Sequence, residues 1–273
     1  SIHVYPVKSC AGTSPSRALL AETGFDLDRE WMVVDPSGSF VTQRELPRMA
    51  LVQTALKGSE LVLRAPGMLV LHVAVDRIEG RTEAEVWGHR VAAYDMGALC
   101  AQWFTDFLGL PLRLARFDPE AARRADRRWT GAIDAATAFQ DGFPLLVAST
   151  ASLAELNRRL ALGGEAAVTM ARLRPNLVVS GLDAHGEDHV DEIVFAADGG
   201  PVRLKLVKPC ARCTIPDVDP QTGVRGHAVG DALAQYRADP RLDGALTFAM
   251  NAVIVEGAGR TLAVGMPGTA TIA

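Results

Sequence analysis

Trp31-Met32-Val33-Val34-Asp35-Pro36-Ser37-Gly38-Ser39-Phe40-Val41-Thr42 sets two short apolar runs on either side of a turn. Branched and aromatic side chains suit the pleated surface of a sheet, while Asp-Pro-Ser-Gly favours reversal of the chain, so the stretch reads as a hairpin. The same grammar recurs on both sides of it. Residues 51–57 and 60–64 flank Gly58-Ser59, residues 68–75 follow Pro66-Gly67, and Glu85-Val86-Trp87 and Val91-Ala92-Ala93-Tyr94 flank Gly88-His89. Short strands at this spacing predict an antiparallel sheet or small barrel. The period then changes: Leu99, Trp103, Phe104 and Phe107 recur at helical spacing over 98–108, and Gly109 ends that helix.

A strand over 112–117 leads into a charged loop, 118–130, whose Arg123, Arg124, Arg127 and Arg128 read as a solvated face rather than a docking patch. The seam between two units is expected there. Beyond it, a helix over 149–160 is supported by Ser152 and Glu155 in capping-box spacing and by Gly163-Gly164 after its end. Residues 176–180, 192–196, 202–207, 252–255 and 261–264 read as strands and 229–236 as a short helix. The fold expected is mainly β and barrel-like, with a few helices. Composition agrees with a globular chain: 48% hydrophobic and 22% charged residues. A net charge of −4 argues against nucleic acid as the main partner. No apolar run reaches the roughly 20 residues that span a bilayer. Four cysteines in 273 residues make no disulfide framework, so reduced thiols and a cytoplasmic protein are expected; a monomer is expected as well.

The chemistry concentrates in Val207-Lys208-Pro209-Cys210-Ala211-Arg212-Cys213-Thr214-Ile215-Pro216-Asp217-Val218-Asp219-Pro220-Gln221-Thr222-Gly223. Two thiols end an apolar strand beside two cations, and a cation favours the thiolate, which is both nucleophile and soft metal ligand. Several readings stay open. A zinc site needs about four ligands, and the histidines of His185-Gly186-Glu187-Asp188-His189 read as a solvated loop, although Cys10 offers a third ligand. A redox pair would open a helix, which Pro216, Pro220 and Gly223 forbid. One cysteine alone could ligate a metal cofactor, or both thiols could be small buried apolar groups. Asp217 and Asp219 could support Cys213, and the Asp219-Pro220 pair is better explained as turn chemistry. Two more clusters bear on this: Lys8-Ser9 beside Cys10-Ala11-Gly12, able to hold an anion, and Leu173-Arg174-Pro175-Asn176, whose planar guanidinium suits a phosphate.

Together, Tyr5-Pro6-Val7-Lys8-Ser9-Cys10-Ala11-Gly12, Asp28-Arg29-Glu30-Trp31-Met32-Val33, Leu173-Arg174-Pro175-Asn176 and the run from Cys210 to Gly223 resemble the molybdenum cofactor sulfurase C-terminal (MOSC) family. The chain is similar to its two-part members, the amidoxime-reducing proteins of mitochondria and their bacterial relatives. The resemblance implies an N-terminal β-barrel unit over 1–115, a MOSC unit over 116–273, and a molybdenum–molybdopterin cofactor between them. It implies that Cys213 gives the metal its thiolate, that Lys8, Ser9, Arg29 and Arg174 meet the pterin phosphate with Asn176 nearby, and that Asp141 lies close to the metal. Asp141 is then the candidate for proton delivery or for orienting a substrate N–OH. Two departures from the family pattern are Gly142-Phe143, where hydroxyl side chains are frequent, and Phe248-Ala249-Met250-Asn251, where Phe-Gly-Gln-Asn is frequent. The activity implied is reduction of N-hydroxylated compounds. The chain carries no Gly-X-Gly-X-X-Gly dinucleotide segment, so electrons would come from a separate flavin, iron–sulfur or haem protein. The rival reading is a carrier of sulfur, as a persulfide on Cys213, or of the cofactor. Nothing resembles the pyridoxal phosphate part of the sulfurases.

Overall fold

The computed structural model describes residues 1–121 and 123–273. Strands dominate, as the apolar runs require, in two groups of sheets. In the first half, Trp31–Val34, Arg113–Phe117, His89–Asp95 and Gly80–Val86 form one antiparallel sheet, and Gln53–Lys57, Glu60–Arg64 and Leu71–Ala74 form another. The helix Ala98–Leu108 closes their core through Trp103, Phe104 and Phe107. Leu99, expected on that face, is instead exposed, and Cys100 takes the inward place.

The turn at Asp35-Pro36-Ser37-Gly38 forms, with Asp35 accepting from Ser37 and Ser39, but the return does not run as a paired strand. Trp31–Val34 pairs with Arg113–Phe117 some eighty residues away, and only a single bridge links Val34 to Phe40. Residues 40–44 are diverted toward the cleft described below. The second half is a curled seven-stranded sheet in which Gly200–Ala211 and Ala245–Glu256 are the long central strands. Leu145–Ser149 and Leu177–Val179 continue it on one side, Val190–Ala197 and Gly268–Ile272 on the other. The first residues of the chain join this second core. Ile2, Val4, Leu20 and Phe25 pack with Leu204 and Ala252, and Arg17–Ala21 pairs with Thr261–Ala263. A linear seam near residue 115 is therefore crossed by the first 25 residues.

Two local expectations need correction. The helix Thr150–Leu162 is capped by Ser149, whose side chain accepts from the Ser152 backbone, whereas Glu155 pairs with Arg158 and Arg159. The loop at His185 is only partly solvated: His189 is exposed, whereas His185 is half-buried. Glu187 is fully buried and accepts from Ser149 N–H and Ser152 O–H, which draws the loop inward. His185 is thereby laid against Tyr236 and Phe248, with neither ring nitrogen hydrogen-bonded.

Burial, reinforced by Arg237 and opposed by Asp188, pushes the pKa of His185 down to about 4. The unfolded chain therefore takes up this proton below its ordinary value near 6.5 while the folded chain does not. Stability contributed by the neutral ring is complete above pH 6.5, falls as pH drops, and is exhausted near pH 4. The full swing is on the order of 3 kcal/mol. His185→Asn keeps access to the left-handed backbone found there (φ 60°). Urea melts at pH 7 and pH 4.5 should show the gap between wild type and variant closing at the lower pH. A gap independent of pH would reject this account.

Candidate functional site

Loops from both halves meet around one cleft, which holds about 790 Å³ including its open mouth. Lys8, Ser9, Arg29, Asp141, Arg174, Asn176 and Cys213, all singled out from the sequence, line it. Thr42, Arg44, Cys210 and Arg212 line it too.

Local backbone conformation explains how the cationic side is built. Ser9, Arg29 and Arg174 have φ of 65°, 51° and 57°, a left-handed region that costs a non-glycine residue about 1 kcal/mol. Each is held there by bonds from other segments. The Ser9 carbonyl accepts from Gln43 Nε2 at 2.7 Å. The Arg29 backbone donates to Tyr5 at 2.8 Å and accepts from Phe139 at 3.1 Å. The Arg174 carbonyl accepts from Arg29 Nη2 at 3.1 Å. Tyr5, buried and not anticipated from the sequence, organises the two arginines: their guanidinium carbons lie 4.4 and 4.3 Å from its ring centroid. A Cβ on Gly12 would come within 2.5 Å of that ring, so glycine is needed for Tyr5 to lie where it does. Buried Asp28 accepts from Tyr5 N–H at 2.8 Å and from Arg29 Nη1 at 2.6 Å.

Arg174 has no carboxylate partner among the described residues, and its Nη1 donates to the Cys10 carbonyl at 2.7 Å. Burial pushes its pKa down to about 10, with Tyr5 opposing the shift and Arg29 adding to it. Lys8 is 6% exposed, and its Nζ donates to Phe139 O at 2.7 Å and Asp141 Oδ1 at 2.5 Å. Burial drives the Lys8 pKa down and Asp141 opposes it. Asp141 presents 72% of its side chain to solvent, although its Oδ1 is held from within the protein. Loss of water around that oxygen pushes its pKa up. The charge of Lys8 and hydrogen bonds from Lys8 and Trp87 outweigh this and hold the carboxyl well below the usual range. Asp141 is thus ionised throughout the physiological range, which leaves it poorly suited to proton delivery.

Arg123 corrects the reading of the basic loop. It is buried and donates to the carbonyls of Ala138, Gln140 and Asp141, fixing the backbone under Asp141, while Arg124, Arg127 and Arg128 are exposed. No periodic pattern in a loop separates one anchoring arginine from three solvated ones. Asn176 is committed to the protein backbone: its Oδ1 accepts from Leu146 N–H at 3.1 Å and its Nδ2 donates to His3 O at 3.3 Å.

The strand Gly200–Ala211 delivers the thiols. Register shifts before Lys208 and after Pro209 turn Lys208 away from them, over the rings of Trp129 and Phe143. Of the two expected cations only Arg212 stays, donating to Cys210 Sγ at 3.2 Å and to Leu173 O at 2.9 Å. Cys213, one residue beyond, is exposed. The acidic loop after it is turn chemistry: Asp219 accepts from Gln221 and Thr222 backbone N–H, and Arg172 pins the Pro216 and Asp217 carbonyls. Ala249 has φ 70°, a conformation glycine takes freely, which explains why glycine suits that position of the long strand.

Along the lining, Lys8, Arg29, Arg44, Arg174 and Arg212 face a single carboxylate, Asp141. The buried Arg212 Nε has no hydrogen-bond partner among the described residues. Unspent guanidinium donors and an exposed thiol in one cleft fit a ligand that is both anionic and rich in soft metal character.

Residues 1–111 match the family described as the MOSC N-terminal beta barrel domain and residues 134–265 match the MOSC domain. Mitochondrial amidoxime-reducing component 1 of Homo sapiens is 36% identical over 248 residues, covering 87% of this chain and 71% of that protein. Mitochondrial amidoxime reducing component 2 of Bos taurus is 36% identical over 230 residues, covering 81% of this chain and 66% of that protein. Molybdenum cofactor sulfurase of Homo sapiens is 29% identical over 255 residues, covering 87% of this chain but 28% of that protein. The chain therefore spans only part of the length of each. No helix among the described residues is long and apolar enough to cross a membrane.

Proposed function

Because this chain belongs to the MOSC family, with both its N-terminal barrel and its MOSC domain, we propose that it binds molybdenum–molybdopterin in this cleft and reduces N-hydroxylated compounds. The observation that carries the reading is the joint lining of the cleft by an exposed Cys213 and by Lys8, Arg29 and Arg174. Cys213 would hold the metal through its sulfur. Arg29 and Arg174, fixed over Tyr5, would hold the phosphate together with Ser9 and Lys8. Bound there, the molybdenum centre supplies a two-electron redox couple. The overall change is R–NH–OH plus two electrons and two protons to R–NH₂ plus water, with the N–O bond broken. The electrons come from a separate flavin, iron–sulfur or haem protein. Asp141 orients the substrate, and protons enter from solvent through the open mouth.

Protein made in a cofactor-producing host should contain equimolar molybdenum and, given a chemical electron donor, convert benzamidoxime to benzamidine. Folded protein loaded with molybdenum that leaves benzamidoxime intact would reject the reductase reading. The exposure of Cys213 also favours a second reading, a persulfide carrier. That reading requires a persulfide on Cys213 by mass spectrometry and no bound molybdenum.

A further inference from the structure

Trp87 stands against Asp141 and Arg44, two residues that line the cleft, in a conformation its own size disfavours. It forms, with Gly88, the two-residue turn between the strands Gly80–Val86 and His89–Asp95, and both turn residues have positive φ, 53° and 78°. Such turns favour Asn, Asp and Gly; a bulky aromatic residue there is an outlier. The residue is 45% exposed, so core packing does not explain the choice.

What the indole does is hold Asp141. Nε1 donates to Asp141 Oδ1 at 3.0 Å, the same oxygen that Lys8 Nζ reaches at 2.5 Å. Oδ2 accepts no hydrogen bond from any described residue, and a carboxylate oxygen has room for two. The acceptor is thus fixed through one oxygen, with the other left for a ligand. Flat surfaces flank it. The Phe40 ring is 5.2 Å from that of Trp87, and the Arg44 guanidinium carbon lies 4.5 Å over the indole while Arg44 also lines the cleft. The Arg44 cation over the indole disfavours a positively charged visitor.

Resting on the reductase reading for what enters the cleft, we propose that Trp87 is a specificity-determining residue. Through Asp141 it selects neutral, planar N-hydroxylated compounds that carry an N–H donor beside the N–O group. An amidoxime, C(NH₂)=N–OH, can give an amino hydrogen to Oδ2. A simple oxime, C(H)=N–OH, has no amino hydrogen and can reach the carboxylate only through the O–H that both compounds share.

Benzamidoxime and benzaldoxime differ only in that group. Their equilibrium affinities for the cofactor-loaded protein, measured without an electron donor so that neither is turned over, test the proposal. A hydrogen bond to a charged acceptor at an open mouth should favour benzamidoxime about 10-fold in the wild type. Trp87→Phe keeps an aromatic ring but loses the N–H, and Trp87→Asn suits the turn backbone, so both should fold. The affinity ratio should fall to about 3 or below in each. Equal affinities in the wild type, or a ratio unmoved in both variants, would overturn the proposal. Whether the bound compounds are reduced once electrons are supplied is a separate readout, and its failure would reject the reductase reading alone.

Discussion

Cys213→Ala is expected to abolish molybdenum retention while leaving the fold intact. The side chain is exposed and makes no packing contribution to any of the cores. Surface substitutions of this kind shift stability by about 0.5 kcal/mol or less, which for a chain of this size means a change in melting temperature of ~2 °C or less. The functional cost has a different origin. Groups that merely support a metal ligand change metal affinity by about 10- to 100-fold, so loss of the ligating sulfur itself should cost roughly 100-fold or more. Cys210→Ala is the matched control. Cys210 is half-buried with its sulfur against Arg212 Nη1, so its removal frees a guanidinium already short of partners but takes away no proposed ligand. Molybdenum content by elemental analysis and melting temperature, measured on both variants, separate the roles. Equal metal content in wild type and Cys213→Ala would remove this sulfur from the site. Metal loss in Cys210→Ala alone would move the ligand to residue 210.

How much of this is legible in the sequence follows from where each signal lies. Arg17–Ala21 and Gly268–Ile272 are not among the strands expected and Ala245–Glu256 is expected only over 252–255, but the position of most other strands was legible, because burial of one face is a local property of the chain. Which strand pairs with which was not. Trp31–Val34 chose Arg113–Phe117 over its neighbour in sequence, and Ile2, Val4, Leu20 and Phe25 joined the second core while Val7 and Cys10 joined the first; both are decisions of tertiary packing. At the cleft, the residues named from motifs line one wall, since motifs record side chains that must face a ligand directly. The supporting groups left no such mark. Tyr5 organises Arg29 and Arg174 from a position that alone reads as a strand aromatic. Arg123 looks like any of the four arginines around it. Trp87 reads as a strand residue beside a turn and proves to be in the turn itself. The sequence misleads at His185 because its burial is imposed by Glu187, two residues on, which accepts from Ser149 and Ser152 at the start of a helix thirty-odd positions away.

The same separation of direct from supporting roles makes Arg174→Gly informative, because function and stability should move in opposite directions. In the folded chain this guanidinium is largely withdrawn from water, lies near Arg29, and has no carboxylate partner among the described residues. Its depressed pKa reflects a charge held at a cost in the absence of an anion, on the order of 1 to 3 kcal/mol. Its φ of 57° adds about 1 kcal/mol of strain that glycine would not carry. Against these stand the hydrogen bond to Cys10 and the contact with Tyr5, together worth about 2 to 3 kcal/mol. The cofactor-free variant should therefore melt at the wild-type temperature or a few degrees above it. Retention of the cofactor should nonetheless fall by about 100-fold, since a planar, charge-assisted pair of donors to the phosphate is lost and a neighbouring arginine cannot replace its geometry. Arg174→Lys should recover only part of the retention, because an ammonium keeps the charge without the fork. Thermal melts of the cofactor-free forms, paired with molybdenum and pterin content after expression in a cofactor-producing host, give both quantities. A cofactor-free Arg174→Gly that melts well below wild type would show Arg174 to be a structural residue, and undiminished cofactor content would remove it from the phosphate site.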